Sequence, residues 1–159
     1  MGLTAEARAQ RSADIMWAKD AASKWLGMSL DDVGPGHATM SLKVEPHHAN
    51  GQKICHGGVI FSLADSAFAF ACNSYNQPVV AQHNMISFIA PGHVGDTLTA
   101  TAREISRQGR SGIYDVQVTR TDGTTIAEMR GCSRALNGQH FEEGPSSSDA
   151  VGARTKDKI

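Results

Sequence analysis

Alternation of apolar and polar residues predicts five β-strands in this chain. Between positions 37 and 45, Ala38, Met40, Leu42 and Val44 alternate with polar residues, which is typical of a half-buried strand. Similar stretches follow at 79–90, 96–106, 112–121 and 124–135. Because Asp122-Gly123 is a strong hairpin signal, we expect the last two strands to pair antiparallel.

Helical spacing of apolar residues predicts two helices. The first covers residues 4–26 and is followed by the chain-breaking Gly34-Pro35-Gly36. The second, Gly57 to Asn73, is apolar on nearly all sides, so we expect it to be buried. The fold class is therefore α+β, with an antiparallel sheet wrapped around one long central helix and a peripheral N-terminal helix.

Changes in composition divide the chain into three parts. Residues 1–26 form an N-terminal helical extension, residues 27–136 the main domain, and residues 137–159 a Gly-, Ser- and Pro-containing segment that we expect to be a flexible tail. A length of 159 residues suits one domain of ordinary size.

Charge and cysteine content exclude several classes of function. The net charge of −1 argues against a nucleic-acid or an anionic-membrane partner. The three cysteines are odd in number and form no CxxC pair, which favours a reducing compartment over a disulfide framework or a zinc cluster. The chain contains no apolar run long enough to span a bilayer and no signal-peptide core near its start. We therefore expect a cytoplasmic protein.

Asp65 lies in the middle of the apolar helix, where a carboxylate is unfavourable. Two interpretations remain open from this position alone. Asp65 is either a structural residue that accepts a hydrogen bond from Ser62, or a partly desolvated base or nucleophile with a raised pKa.

The start of the same helix supports the catalytic interpretation. His56-Gly57-Gly58 opens it, and glycines at a helix start let a ligand approach the free backbone N–H groups closely. Such donors, aided by the helix dipole, can stabilise an oxyanion. Asp65 follows Gly57 by eight residues, which corresponds to a rise of about 12 Å. One carbonyl carbon cannot lie close to both groups of a single helix, so we expect a homodimer whose sites are shared between two chains.

Asn50-Gly51 and the segment Cys55-His56-Gly57-Gly58-Val59-Ile60-Phe61-Ser62-Leu63-Ala64-Asp65 resemble the signature of the phenylacetate-degradation (PaaI-type) hotdog thioesterases. Phe88 to Gly92, Gly95 to Leu98 and Arg107 to Gly112 are also similar, and the resemblance covers roughly residues 14–136. It implies a hotdog fold, usually a dimer of dimers and thus a homotetramer. It also implies hydrolysis of acyl-CoA, of the phenylacetyl or hydroxyphenylacetyl type, with no cofactor beyond the CoA of the substrate.

The resemblance also implies roles for individual residues. The Gly57 N–H would polarise the thioester carbonyl, with Gly58 beside it, while Asn50 and His56 would orient the thioester or the glycine loop. Asp65 of the other subunit would act as a nucleophile or as a base for water, and the sequence leaves both roles open.

Two further groups of residues are candidates for substrate binding. Some relatives hold the hydrolytic water with a serine after the helix, whereas this chain has Ala81 at that position, so Gln82 is the candidate substitute. Arg107, Arg110 and Ser111 lie in a glycine-containing loop that suits the phosphates of CoA, although such a loop can also be merely solvated.

Other chemistries are less well supported by the sequence. The seven histidines form no metal-binding motif, so we expect no metal, and Cys55 beside His56 is a poor arrangement for a thiol nucleophile. Two alternative functions remain: a hotdog protein that binds or senses acyl-CoA without turnover, and a hotdog dehydratase or hydratase.

Overall fold

The computed structural model describes residues 2–143, and the remainder of the predicted tail, 144–159, lies outside the described residues. Helices α1 (Ala5–Lys19) and α2 (Ala21–Trp25) precede strands β1 (Met28–Gly34) and β2 (His37–Lys43). A 3₁₀ turn at Pro46–His48 leads to helix α3 (Gly57–Cys72). Four strands follow: β3 (Val79–Phe88), β4 (Thr97–Gln108), β5 (Ser111–Arg120) and β6 (Thr125–Ala135).

The six strands form one sheet in the order β1-β2-β4-β5-β6-β3, and every neighbouring pair is antiparallel. Helix α3 packs across one face of this sheet, with β2, β4 and β5 as its main partners. The predicted α+β architecture, in which a sheet wraps around one central helix, is therefore confirmed.

The core lies between α3 and the inward-facing side chains of the strands. Leu63, Ala67 and Phe68 of α3 are fully buried, and the Phe68 ring packs edge-on against Tyr114 of β5 at 5.5 Å between centroids. The alternation seen in β2, β4 and β5 places their apolar residues on this face. Burial of these side chains is the main source of stability, at roughly 25 cal/mol per Å² of apolar surface.

The N-terminal region differs from its prediction in two ways. The helix predicted at 4–26 is two helices, because Asp20 leaves helical geometry and caps α2 by accepting a hydrogen bond from the Ser23 N–H at 2.9 Å. Strand β1 was not predicted, since its register shifts between Leu30 and Asp32 and its polar residues obscure the alternation.

Part of the predicted C-terminal tail is packed on the folded body. Phe141 is buried, and its carbonyl accepts a hydrogen bond from Asn76 Nδ2 at 3.0 Å. Glu143 pairs with Arg8 of α1, whose Nε donates to Oε2 at 2.8 Å. Residues 140–143 therefore belong to the folded domain, which corrects the predicted boundary for this segment. Within residues 2–143, no helix is both long and apolar enough to cross a bilayer.

Candidate active site

The start of α3 carries one free backbone donor. His56 is the N-cap of this helix, and its Nδ1 accepts a hydrogen bond from the Gly58 N–H at 2.9 Å. The Gly57 N–H has no acceptor among the described residues, as expected for the first residue of a helix. His56 therefore orients the glycine turn, and Gly57 rather than Gly58 presents an N–H group to a ligand.

Gly57 borders an apolar cavity of about 360 Å³. Its lining comes from the loop before α3, from α3 itself and from the end of β3, and consists of Asn50, Ile54, Cys55, Gly57, Ile60, Phe88, Ile89, Ala90 and Pro91. A cavity of this size, with a backbone donor at its wall, is typical of a site for a small organic group.

Asn50 fixes the loop that forms one wall of this cavity. Its Oδ1 accepts hydrogen bonds from the N–H groups of Gln52, at 2.9 Å, and Ile54, at 3.4 Å. Its Nδ2 makes no hydrogen bond within residues 2–143, so the amide can both hold the loop and donate to a ligand.

Asp65 is half-buried on α3, and burial raises the pKa of its carboxyl group. Asn84 of β3 donates from Nδ2 to Asp65 Oδ1 at 2.6 Å, which partly offsets this effect on the pKa. Ser62 instead donates to the Gly58 carbonyl at 2.8 Å, so the alternative in which Asp65 accepts a hydrogen bond from Ser62 is wrong. A partly desolvated carboxylate with one occupied oxygen is suited to act as a base or nucleophile.

Sequence reasoning missed Asn84. The only available signal was the alternation along β3, which turns positions 84 and 86 toward the helix while 83 and 85 are exposed. Nothing in the sequence indicated that the side chain at position 84 would reach Asp65, because this contact depends on how β3 is placed against α3.

The predicted phosphate-binding residues have different surroundings. Arg107 stacks over the Tyr75 ring at 3.7 Å and pairs with Glu104 at 3.6 Å, so much of its binding capacity is used internally. Arg110 donates from Nε to the Ala135 carbonyl at 3.0 Å. Ser111 Oγ accepts from Arg134 Nη1 at 3.4 Å, which identifies Arg134 as a basic residue of this region that the sequence did not suggest.

A single chain does not bring these groups together. Ser111 pairs with Arg134, which pairs with Val80 at the start of β3, whereas Gly57 lies against Phe88 at the end of that strand. Eight strand residues separate the two positions by about 26 Å. Gly57 and Asp65 are also about 12 Å apart along α3.

Gln82 lies on the exposed edge of the sheet. The pairing of β3 with β6 shifts its register between Ala81 and His83, so Gln82 is the extra residue of a β-bulge. Its side chain is exposed and makes no hydrogen bond to Asp65, whose partner within residues 2–143 is Asn84. The structure also shows no group of three potential metal ligands within residues 2–143.

Comparison with known proteins identifies similar chains. The thioesterase superfamily model matches residues 52–127. Acyl-coenzyme A thioesterase PaaI of Escherichia coli K12 is 41% identical over 132 residues, which is 82% of this chain and 94% of the relative. The structure of E. coli PaaI superimposes with a TM-score of 0.84 at 38% identity, covering 86% of this chain and 99% of the other.

A second solved structure extends the similarity to another bacterium. A mutant of the phenylacetic acid degradation protein PaaI from Thermus thermophilus superimposes with a TM-score of 0.71 at 31% identity. This match covers 74% of the chain and the whole of the Thermus protein, 100%. Both structures therefore show the same fold over most of this chain.

Proposed function

We propose that this chain, which belongs to the thioesterase superfamily and is an acyl-CoA thioester hydrolase, acts on arylacetyl-CoA with Asp65 as the catalytic carboxylate. One observation supports the assignment above all others. Asp65 is a half-buried carboxylate with a raised pKa, on a helix whose first N–H is free beside an apolar cavity. These are the two halves of an acyl-transfer site.

The reaction converts a thioester and water into a carboxylic acid and the thiol of CoA. In the proposed site the Gly57 N–H donates to the thioester carbonyl oxygen as negative charge develops there. Asp65 either removes a proton from the attacking water or attacks the carbonyl carbon itself, forming an anhydride that water then cleaves. In both routes the C–S bond breaks, and the thiolate of CoA leaves and takes up a proton.

A homodimer formed through β3 would unite the two halves of the site. The β3 edge exposes apolar side chains, with Met85 65% and Phe88 53% exposed, whereas the opposite edge, β1, carries exposed Asp31 and Asp32. An apolar, unpaired edge favours pairing with another strand, and acidic residues oppose it. A two-fold axis at this edge would place Asp65 of one chain near Gly57 of the other.

The same pairing offers a location for the CoA phosphates. Antiparallel association of two β3 strands sets the Val80 end of one chain beside the Phe88 end of the other. The basic region around Arg110, Ser111 and Arg134 would then lie near the neighbouring Gly57, although in one chain it is far away. Guanidinium groups that bind the CoA phosphates in this region would fix the orientation of the substrate in the site.

The cavity favours an aromatic acyl group of the phenylacetyl or hydroxyphenylacetyl type. It is lined by apolar residues and by the Phe88 ring, which can pack against a phenyl group. The three free cysteines suit a reducing compartment, and we propose a cytoplasmic enzyme that assembles as a dimer of dimers. Thioester hydrolysis by either route needs no cofactor, and we predict that the enzyme uses none.

A thiol-release assay with a disulfide dye tests the proposal. Wild type and Asp65→Asn would be compared on aromatic, short-chain and long-chain CoA esters, with Asp14→Asn on the exposed surface of α1 as the matched control. We expect arylacetyl-CoA to be preferred, and a loss of at least about a hundredfold in Asp65→Asn alone. Equal rates in wild type and Asp65→Asn would remove Asp65 from the mechanism, and binding without release would indicate a sensor.

A further inference from the structure

Asn84 stands directly behind the carboxyl group of Asp65. Its Nδ2 donates to Asp65 Oδ1 at 2.6 Å, a short distance that indicates a charge-assisted hydrogen bond. An ionised carboxylate only accepts hydrogen bonds, so the amide must present its nitrogen rather than its oxygen. We propose that Asn84 is a positioning residue that occupies Oδ1 of Asp65 and leaves Oδ2 as the oxygen that acts on the thioester or on water. This inference rests on the proposed catalytic role of Asp65.

The packing around Asn84 holds its amide in place. Asn84 pairs with Gly131 on β6, and a Cβ atom at position 131 would lie 3.0 Å from Asn84 Oδ1 and 2.9 Å from the Phe68 ring. A side chain there would displace the amide or the ring. The lack of a side chain at Gly131 therefore provides the space in which Asn84 reaches across to α3.

The carbonyl oxygen of the Asn84 amide does not explain why an asparagine is present at this position. Asn84 Oδ1 is buried and has no hydrogen-bond partner among the described residues. An unsatisfied buried acceptor is destabilising, and an apolar residue of the same shape would avoid it. The hydrogen bond to Asp65 is thus the interaction that accounts for an asparagine at this position.

The electrostatic consequence concerns the ionisation of Asp65. Burial raises the pKa of this carboxyl group and the Asn84 hydrogen bond lowers it, so the amide helps to keep the carboxylate ionised. Among residues 2–143, the titratable group that interacts electrostatically with Asp65 is the Cys72 thiol, on the same helix. Burial raises the pKa of that thiol to about 12, so it stays protonated and adds no charge.

Two substitutions separate positioning from a structural role. Asn84→Leu removes the donor at similar size, and Asn84→Asp replaces it with a second carboxyl group at the same place. For Asn84→Leu we expect kcat to fall about tenfold, KM to stay within about twofold, and the acid limb of the kcat profile to move up by about half to one pH unit. In Asn84→Asp that limb moves further, because two adjacent carboxyl groups share one proton. Loss of the unsatisfied acceptor stabilises Asn84→Leu, whereas the higher pKa of Asp65 destabilises it at neutral pH, so we expect its melting temperature to stay within about 2 °C of wild type.

A matched control uses another amide that faces a carboxylate. Gln117 on β5 donates from Nε2 to Glu128 Oε1 at 2.7 Å on the exposed surface, and Gln117→Leu should leave the kcat profile unchanged. A wild-type acid limb in both Asn84 variants, with Asp65→Asn inactive, would overturn the inference while sparing the proposed function. Full activity of Asp65→Asn would instead overturn the proposed function itself, and the inference with it.

Discussion

The backbone of Gly57 lies against the aromatic ring of Phe88. A Cβ atom at position 57 would stand 3.2 Å from Phe88 Cζ, closer than most side-chain contacts allow. Gly57, which carries the free N–H of α3, thus lies beside the apolar wall of the cavity. The N–H group that would polarise the thioester carbonyl therefore lies next to the ring that would hold the acyl group.

Phe88→Ala should therefore weaken the reaction with aromatic substrates. Removing the ring enlarges the cavity beside Gly57 and deletes the contact with an aryl group. We expect kcat/KM for phenylacetyl-CoA to fall about ten- to a hundredfold, with a smaller effect on acetyl-CoA. The comparison would be made by thiol release on both substrates.

Ile105→Ala, at an apolar residue of β4 that is 55% exposed, serves as the control for that substitution. It should leave the ratio of the two kcat/KM values unchanged. An equal loss on both substrates in Phe88→Ala would show that the ring does not select the acyl group.

Asp65→Asn should stabilise the protein at neutral pH. Because burial raises the pKa of Asp65, the ionised carboxylate destabilises the folded state at every pH above that folded-state pKa. An uncharged amide removes this cost, and we expect a melting temperature about 2 °C higher at pH 7.5. As the pH falls through the folded-state pKa, wild-type Asp65 becomes neutral and the difference should shrink.

Asp115→Asn is the matched control, because Arg130 lowers the pKa of Asp115 and the ionised form is favoured there. This substitution should lower the melting temperature or leave it unchanged. A lower melting temperature for Asp65→Asn at pH 7.5 would indicate that the Asp65 carboxylate stabilises the fold.

His48 should make the protein sensitive to mild acid. It lies in the loop that carries Asn50, is 2% exposed, and its Nδ1 accepts a hydrogen bond from the Glu45 N–H at 3.0 Å. Burial lowers the pKa of His48 below its ordinary value of 6.5. Below about pH 6.5 the unfolded chain therefore binds more protons than the folded one, and stability decreases until the pH reaches the folded-state pKa.

We expect the melting temperature of wild type to fall by about 2–4 °C more than that of His48→Asn between pH 7.5 and pH 5.0. His140, whose pKa burial also lowers, should contribute in the same direction in both proteins. Calorimetry at the two pH values measures the difference. Parallel behaviour of the two proteins would mean that His48 is not responsible.

Mixing two inactive variants tests whether the site is shared. Asp65→Asn lacks the carboxylate and Gly57→Pro lacks the N–H donor, and each homodimer should be inactive. After subunit exchange, a mixed dimer contains one site with both groups intact, so activity should return to about a quarter of the wild-type value in an equal mixture. Exchange would be verified by mass spectrometry, and proven exchange without any recovery would argue that each chain holds a complete site.

The sequence by itself determined the main elements of the fold. The period of two at 37–45 and the strand-like stretches that follow it predicted five of the six strands, four of which (β2, β4, β5 and β6) bury one face. The long apolar run from Gly57 predicted the central helix and drew attention to Asp65, since a charged residue inside such a run is unfavourable. These features are local, so a pattern of neighbouring residues was enough to predict them.

Tertiary structure decided which side chains meet. Asn84 contacts Asp65 and Arg134 contacts Ser111 because β3 and β6 have one register against their neighbours, and a shift of one residue would turn both side chains to the opposite face. Likewise, the packing of Phe141 depends on Asn76, a partner that is distant in the chain. Periodicity records only which face a residue occupies, whereas its partner across the sheet follows from the complete packed arrangement.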